Sequence, residues 1–293
     1  RDYRERARTG WIKGGSYDSV LASEDFEDAY IGRRAAAWIE NIPDDFPWHL
    51  FVSFVGPHDP FDPPAAYGER YRDVAVPDAI QDPMRGKPEW VRRSVRGLEA
   101  DEVAVTRRQY CAATELIDDQ VGGIMDALER RGMRENTYII YSSDHGEMLG
   151  DHGLYTKSLA YEPALRIPLL IAGPGIEPGQ TSDALAELID LNPTICEFAG
   201  LPAQENIDGV SLGRLLHGET STHRDEAISI MGHFRCVRTD RHKVIQNHNA
   251  ETELYDLHND PEERHNVADE QPDVVRTMLS RLRQRCMEGK WLR

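Results

Sequence analysis

Apolar residues recur along this chain in two rhythms, and the alternation between them predicts the fold. In residues 23–40, Phe26, Tyr30, Ala37 and Trp38 suit one face of a helix, with a serine at its start and acidic residues in its first turn. His49-Leu-Phe-Val-Ser-Phe-Val55 is apolar on both faces, β-branched and aromatic, the pattern of a buried strand in a parallel sheet. It stops at the turn-rich Gly56-Pro57-His58-Asp59-Pro60. Residues 60–96 are rich in proline and charge with little periodicity, which predicts a long surface excursion. In residues 101–131 Leu116, Ile117, Val121, Ile124, Met125 and Leu128 recur at three- and four-residue steps. Asp101 is placed to cap this helix and Gly132 to end it.

A second strand pattern, Thr137-Tyr-Ile-Ile-Tyr141, ends at Ser142-Ser143-Asp144-His145-Gly146. A third, at 167–172, is closed by Gly173-Pro174-Gly175. Helix-then-strand repetition of this kind predicts an α/β fold, a mainly parallel sheet flanked by helices. Asp190-Leu-Asn-Pro-Thr194 opens a short helix to Gly200. Short strand-like runs then occupy residues 226–256. Residues 272–287 place Val274, Val275, Met278, Leu279 and Leu282 on one helix face. The expected organisation is one α/β domain over 1–220 and a subdomain over 221–293, a small C-terminal antiparallel sheet with a helix. Residues 1–16 are polar, carry no signal-peptide pattern and start without Met; the expectation is an N-terminus lost to truncation, cleavage or disorder.

Composition narrows the function classes. At 293 residues the chain is long enough for a sizeable core, and no run of about 18 apolar residues predicts a membrane span. A formal charge of -17 argues against nucleic acid as partner, because a phosphate backbone needs a basic face. Cys111, Cys196, Cys236 and Cys286 are widely spaced with no C-x-x-C pair, so neither a zinc knuckle nor a disulfide framework is indicated. Such thiols favour a cytoplasmic location over a periplasmic or secreted one. No feature selects an oligomeric state. Few of the basic residues are lysine, so a lysine inside a motif carries more weight.

The candidate chemistry lies in Asp144-His145-Gly146-Glu147-Met148-Leu149-Gly150-Asp151-His152-Gly153-Leu154-Tyr155-Thr156-Lys157, which follows an apolar strand. Ligands of open α/β sheets bind at such strand ends. Asp144 and His145 offer a hard oxygen and a borderline nitrogen to a divalent cation. Three glycines let the backbone approach an anion. Alone, an Asp-His pair reads more simply as a turn cap with a loop histidine. The strand before it and Lys157 after it reverse that balance.

This set resembles the sulfatase branch of the alkaline phosphatase superfamily. The resemblance rests on the Asp144–Gly153 motif with Lys157, on Arg166-Ile-Pro-Leu-Leu-Ile171, and on Gly56-Pro57-His58-Asp59-Pro60 upstream. Asp190-Leu-Asn-Pro-Thr194, Leu254-Tyr-Asp-Leu257 and Asp260-Pro-Glu-Glu263 extend it downstream. It implies hydrolysis of a small sulfate ester, with Asp144 and His145 as metal ligands. Lys157 becomes the cation on a sulfate oxygen, and His58 an ester contact and candidate acid. His152 is either a substrate contact or a residue that shapes the glycine loop. The family's usual ion is Ca²⁺; His145, where Asn often stands, keeps Mn²⁺ or Zn²⁺ open.

The resemblance also implies a formylglycine nucleophile, made from the Cys or Ser of a Cys/Ser-x-Pro-x-Arg motif. None of the four cysteines begins that pattern, and the family's early metal aspartates would lie upstream of Arg1. The chain by itself is therefore expected to be inert, its partner being the missing N-terminal segment of the same protein. Two alternatives stay open: a phosphonate or phosphate monoester hydrolase of the same superfamily, and a sulfatase-like fold kept for binding without catalysis.

Overall fold

The structure, a computed structural model, describes residues 17–202, 204–249 and 251–288, so the expectation for residues 1–16 falls outside it. In chain order the helices are α1 (Glu27–Asn41), α2 (Ala65–Tyr71), α3 (Glu89–Arg93), α4 (Ala100–Arg130), α5 (Glu162–Leu165), α6 (Leu191–Phe198), α7 (Gly213–Leu216) and α8 (Pro272–Glu288). The strands are β1 (Ile139–Ser142), β2 (Leu169–Ala172), β3 (Ala227–Met231), β4 (Phe234–Arg238), β5 (His242–Asn247) and β6 (Thr252–Asp256). The chain divides into two compact units, Arg1–Ala79 with Gly97–Thr137, and Ile80–Arg96 with Tyr138–Arg293. This cuts the chain differently from a boundary at residue 220, because residues 80–96 and 138–220 cluster with the C-terminal sheet.

In the first unit α1 packs on α4, whose buried Ala112, Ala113, Leu116, Ile117, Ala127 and Leu128 recur at the expected helical steps. Burying side chains such as Leu116 and Ile117 contributes about 1.5–3 kcal/mol each. The crossing is close at Gly32, where a Cβ would lie 2.4 Å from Gln120 Cβ. Glu99, rather than the expected Asp101, caps α4: its carboxylate takes the Glu102 backbone while the Glu102 carboxylate returns to the Glu99 N–H. Gly132 follows the helix with φ +63°, the left-handed conformation that favours glycine. Residues 49–55 form no strand ladder among the described residues, and Phe51 is 81% exposed.

In the second unit the expected parallel pairing is corrected. β1 and β2 pair antiparallel, with Ile139 opposite Ala172 and Ser142 opposite Leu169. A parallel pair needs a crossover, usually a full helix. Here residues 143–168 form an extended loop with only a 3-10 turn and the four-residue α5, and the chain doubles back.

The antiparallel C-terminal sheet has the order β3-β4-β5-β6. Its two faces follow the period of two. Phe234, Cys236, Ile245 and Tyr255 pack against Met148, Leu154, Leu159 and Tyr161 of the long loop. Val237, Val244 and Leu254 pack against Met278 and Leu282 of α8. The tail expected from sequence is thus present, and its inner face is the floor on which the 143–165 loop rests.

Candidate active site

Asp144 and His145 leave the end of β1 at the surface. The Asp144 side chain is 79% exposed, and its Oδ1 accepts the His145 N–H at 2.9 Å. His145 Nδ1 lies 2.9 Å from the Gly146 carbonyl, which can only accept, so Nδ1 carries a proton and in the neutral ring the lone pair is on Nε2. His145 Nε2 is 3.6 Å from Asp144 Oδ2. Two donors sharing a cation, with bonds of about 2.1–2.4 Å at near-right or tetrahedral angles, stand about this far apart. A ligating histidine ordinarily donates its other N–H to a carbonyl, as here. The pair therefore fits a divalent cation. No cluster of three or more metal-ligating side chains is present among the described residues.

The loop beyond this pair is closed by its own backbone. Gly146 N donates to Ala164 O at 2.8 Å, and a Cβ at Gly146 would lie 2.0 Å from Pro163 O, so no side chain fits there. Met148 N donates to Thr156 O at 3.2 Å, and the Glu147 carboxylate accepts the Thr156 N–H. These bonds tie the residue before Lys157 to the strand-end segment that carries Asp144 and His145. Lys157 itself is half-buried. Leu149, His152 and Thr156 have φ of 46°, 56° and 72°. Positive φ at three non-glycine residues, one of them β-branched, is strain of the kind that clusters at functional sites.

The tip, Asp151-His152-Gly153, is gripped by residues 80–96. Asp151 Oδ1 accepts Ile80 N at 2.8 Å, His152 N donates to Ile80 O at 2.8 Å, and Arg96 N donates to Gly153 O at 2.8 Å. His152 is 1% exposed, its Nδ1 is 2.6 Å from Asp82 Oδ2, and its Nε2 has no hydrogen-bond partner among the described residues. So placed, the buried His152 side chain joins the loop tip to Asp82.

Asp82 also pairs with Lys87 Nζ at 3.3 Å, and Lys87 donates to Tyr255 OH and Glu263 O, both at 2.9 Å. Burial pushes the Asp82 carboxyl up, but the His152 hydrogen bond and the Lys87 charge outweigh it and hold it below the usual carboxylate range. The buried Lys243 joins the same region, 2.6 Å from Glu162 and 2.7 Å from Glu263. Desolvation opposes its charge, yet the two carboxylates keep its ammonium above the ordinary lysine range.

In the first unit His58 is partly exposed, with Nδ1 2.8 Å from Asp59 O. With Nδ1–H committed to that carbonyl, proton exchange with a ligand falls to Nε2. The loop is pinned by Asp28, a buried residue of α1 that sequence reading missed. Nothing in the local pattern marks a carboxylate 27 residues upstream. Asp82 and Lys87 escaped for the same reason, inside a stretch that reads as surface.

Residues 3–201 match the Sulfatase family, and residues 150–288 match N-sulphoglucosamine sulphohydrolase, C-terminal. The chain belongs to the sulfatase family. It is similar to the arylsulfatase of Clostridium perfringens, 30% identical over 83% of this chain and 56% of that protein. It is also similar to the choline-sulfatase of Rhizobium meliloti, 30% identical over 89% of this chain and 55% of the relative. The chain spans about half the length of the curated relatives it matches. Among solved structures, BT4656 in complex with its substrate D-glucosamine-2-N,6-O-disulfate aligns with a TM-score of 0.81 and 22% identity, over 90% of this chain and 70% of that one. A phosphonate monoester hydrolase from Silicibacter pomeroyi aligns with a TM-score of 0.81 and 23% identity, over 98% of this chain and 69% of that one. These two likenesses establish the fold.

Proposed function

We propose that the protein to which this chain belongs is a metal-dependent sulfuric ester hydrolase acting on a small sulfate ester. The observation that carries the reading is the Asp144–His145 pair, with its donor atoms 3.6 Å apart and the imidazole tautomer fixed by Gly146 O, on the strained loop that leads to Lys157. Asp144 and His145 would hold the dication, Ca²⁺ by family habit and Mn²⁺ or Zn²⁺ by the nitrogen donor. When bound, that ion adds positive charge beside the ester and the nucleophile. Lys157 would donate to a sulfuryl oxygen, where negative charge grows as the S–O bond breaks. His58 would hand its Nε2 proton to the departing alkoxide or phenoxide.

The nucleophile in this reading is a formylglycine hydrate from a Cys/Ser-x-Pro-x-Arg segment outside these 293 residues, since none of the four cysteines begins that pattern. A phosphonate monoester hydrolase is the second reading, favoured by the structural neighbour that spans 98% of the chain. The test is turnover of the full-length protein on an aryl sulfate and on an aryl phosphonate. Sulfate turnover well above phosphonate turnover, abolished by chelation, is the expected result. A reversed preference would replace the first reading with the second, and no turnover of either ester would sink both.

A further inference from the structure

Asp28 lies on the buried face of α1, 2% exposed, and its carboxylate spends its acceptor capacity on one short stretch of backbone. Oδ1 accepts Val55 N at 2.8 Å and Gly56 N at 3.1 Å, and Oδ2 accepts Gly56 N at 3.1 Å. The Val55 carbonyl in turn accepts the backbone N–H of His58 at 3.3 Å. A continuous chain of hydrogen bonds thus runs from the helix through Val55 to the backbone of His58. The fit is close: a Cβ at Gly56 would stand 2.4 Å from Asp28 Oδ2.

We propose that Asp28 is a positioning residue for His58, fixing the turn at residues 55–58 so that the imidazole meets the leaving-group oxygen. The inference rests on the acid role proposed for His58 above. Burial raises the Asp28 carboxyl above its ordinary range, and the two backbone N–H donors only partly offset this. A buried carboxyl of that kind opposes its own ionisation, so it is a costly anchor for an ordinary turn. Its cost is understandable where the turn carries a group whose placement controls a rate, because small displacements of a catalytic side chain are expensive.

The experiment uses the full-length protein and a series of aryl sulfates from phenyl to dinitrophenyl. A good leaving group needs little help from an acid, and a poor one needs much. His58→Ala should therefore lose about 10²–10⁴-fold on phenyl sulfate and far less on dinitrophenyl sulfate. Asp28→Asn and Gly56→Ala should show the same skew in smaller measure, with at least a tenfold greater loss of kcat on phenyl than on dinitrophenyl sulfate. The double variant Asp28→Asn/His58→Ala should be no slower than His58→Ala alone, since both changes remove one function.

Asp28→Asn is isosteric, and Gly56→Ala keeps the carboxylate in the chain while pushing it off the turn. The comparison therefore survives if Asp28→Ala fails to fold. A uniform loss across leaving groups in folded Asp28→Asn and Gly56→Ala, or no loss, would overturn the positioning role while leaving His58 intact. A flat profile for His58→Ala would instead remove the acid role itself, and the inference with it.

Discussion

Asp82 Oδ2 sits 2.6 Å from His152 Nδ1, with both side chains buried, and this contact joins residues 80–96 to the tip of the loop that carries Asp144, His145 and Lys157. The same carboxylate is the counter-charge of the buried Lys87. Asp82→Ala leaves the ammonium without this counter-charge and the imidazole without its Nδ1 partner, and breaking a buried pair from one side costs about 3–5 kcal/mol. The expected outcome is a loss of that size in urea unfolding. Asp82→Leu with Lys87→Met, which removes both charges, should come much closer to the parent. Equal losses in the two variants would mean that packing, not charge, holds the clamp.

Lys157 is tied by its neighbour Thr156 to Glu147 and Met148, so its side chain leaves a fixed backbone. Lys157→Ala should leave the thermal midpoint nearly unchanged and lower kcat of the full-length protein by about two to three orders of magnitude, the range for losing one transition-state donor. A turnover loss under about twofold would remove Lys157 from the chemistry.

Much of this arrangement was legible in the sequence, and the rest fails for identifiable reasons. α4, the short helix before Gly200, the C-terminal sheet and α8 were legible because their apolar positions and end signals repeat locally, whatever element they later pack against. The direction of the β1–β2 pair did not follow. Apolar strands read alike in either direction, and only the connection between them decides. Asp144, His145, Lys157 and His58 stood out because glycines, prolines and a strand end frame them. Asp28 reaches a backbone N–H 27 residues away, Asp82 a histidine 70 residues away and Lys87 a tyrosine 168 residues away, and no local pattern records such contacts. Residues 80–96 looked like surface because proline and charge dominate them, yet their buried charges meet partners from β6 and the loop tip.

Asp62, in the His58 loop, gives a pH signature. Burial pushes its carboxyl up to about 6, only partly countered by a backbone hydrogen bond. A carboxyl whose folded pKa is raised contributes stability that is complete below its unfolded value near 3.8 and is lost as pH rises through about 6. Between pH 4 and pH 7 the parent should therefore lose stability relative to Asp62→Asn, which carries no titrating group there. Parallel stability curves for the two proteins across that window would show that folding does not raise the Asp62 carboxyl.

The metal reading makes a demand on Asp144 and His145 that a turn cap would not meet. If they only close a turn, replacing either changes local geometry and leaves cation binding by the full-length protein intact. If they are ligands, Asp144→Ala and His145→Ala should each weaken Mn²⁺ or Ca²⁺ binding by at least about 100-fold, the upper end of what losing an outer partner alone costs. Isothermal titration after chelator treatment reads this directly, and it is independent of turnover. Gly146 O, which fixes the His145 tautomer, cannot be mutated away. His145→Gln, which keeps a side-chain acceptor but loses the imidazole lone pair, is the sharper variant. It should retain Ca²⁺ better than Mn²⁺ or Zn²⁺, because oxygen suits the hard ion and nitrogen the borderline ones. Unchanged affinity for every ion in all three variants would return the pair to the role of a turn cap.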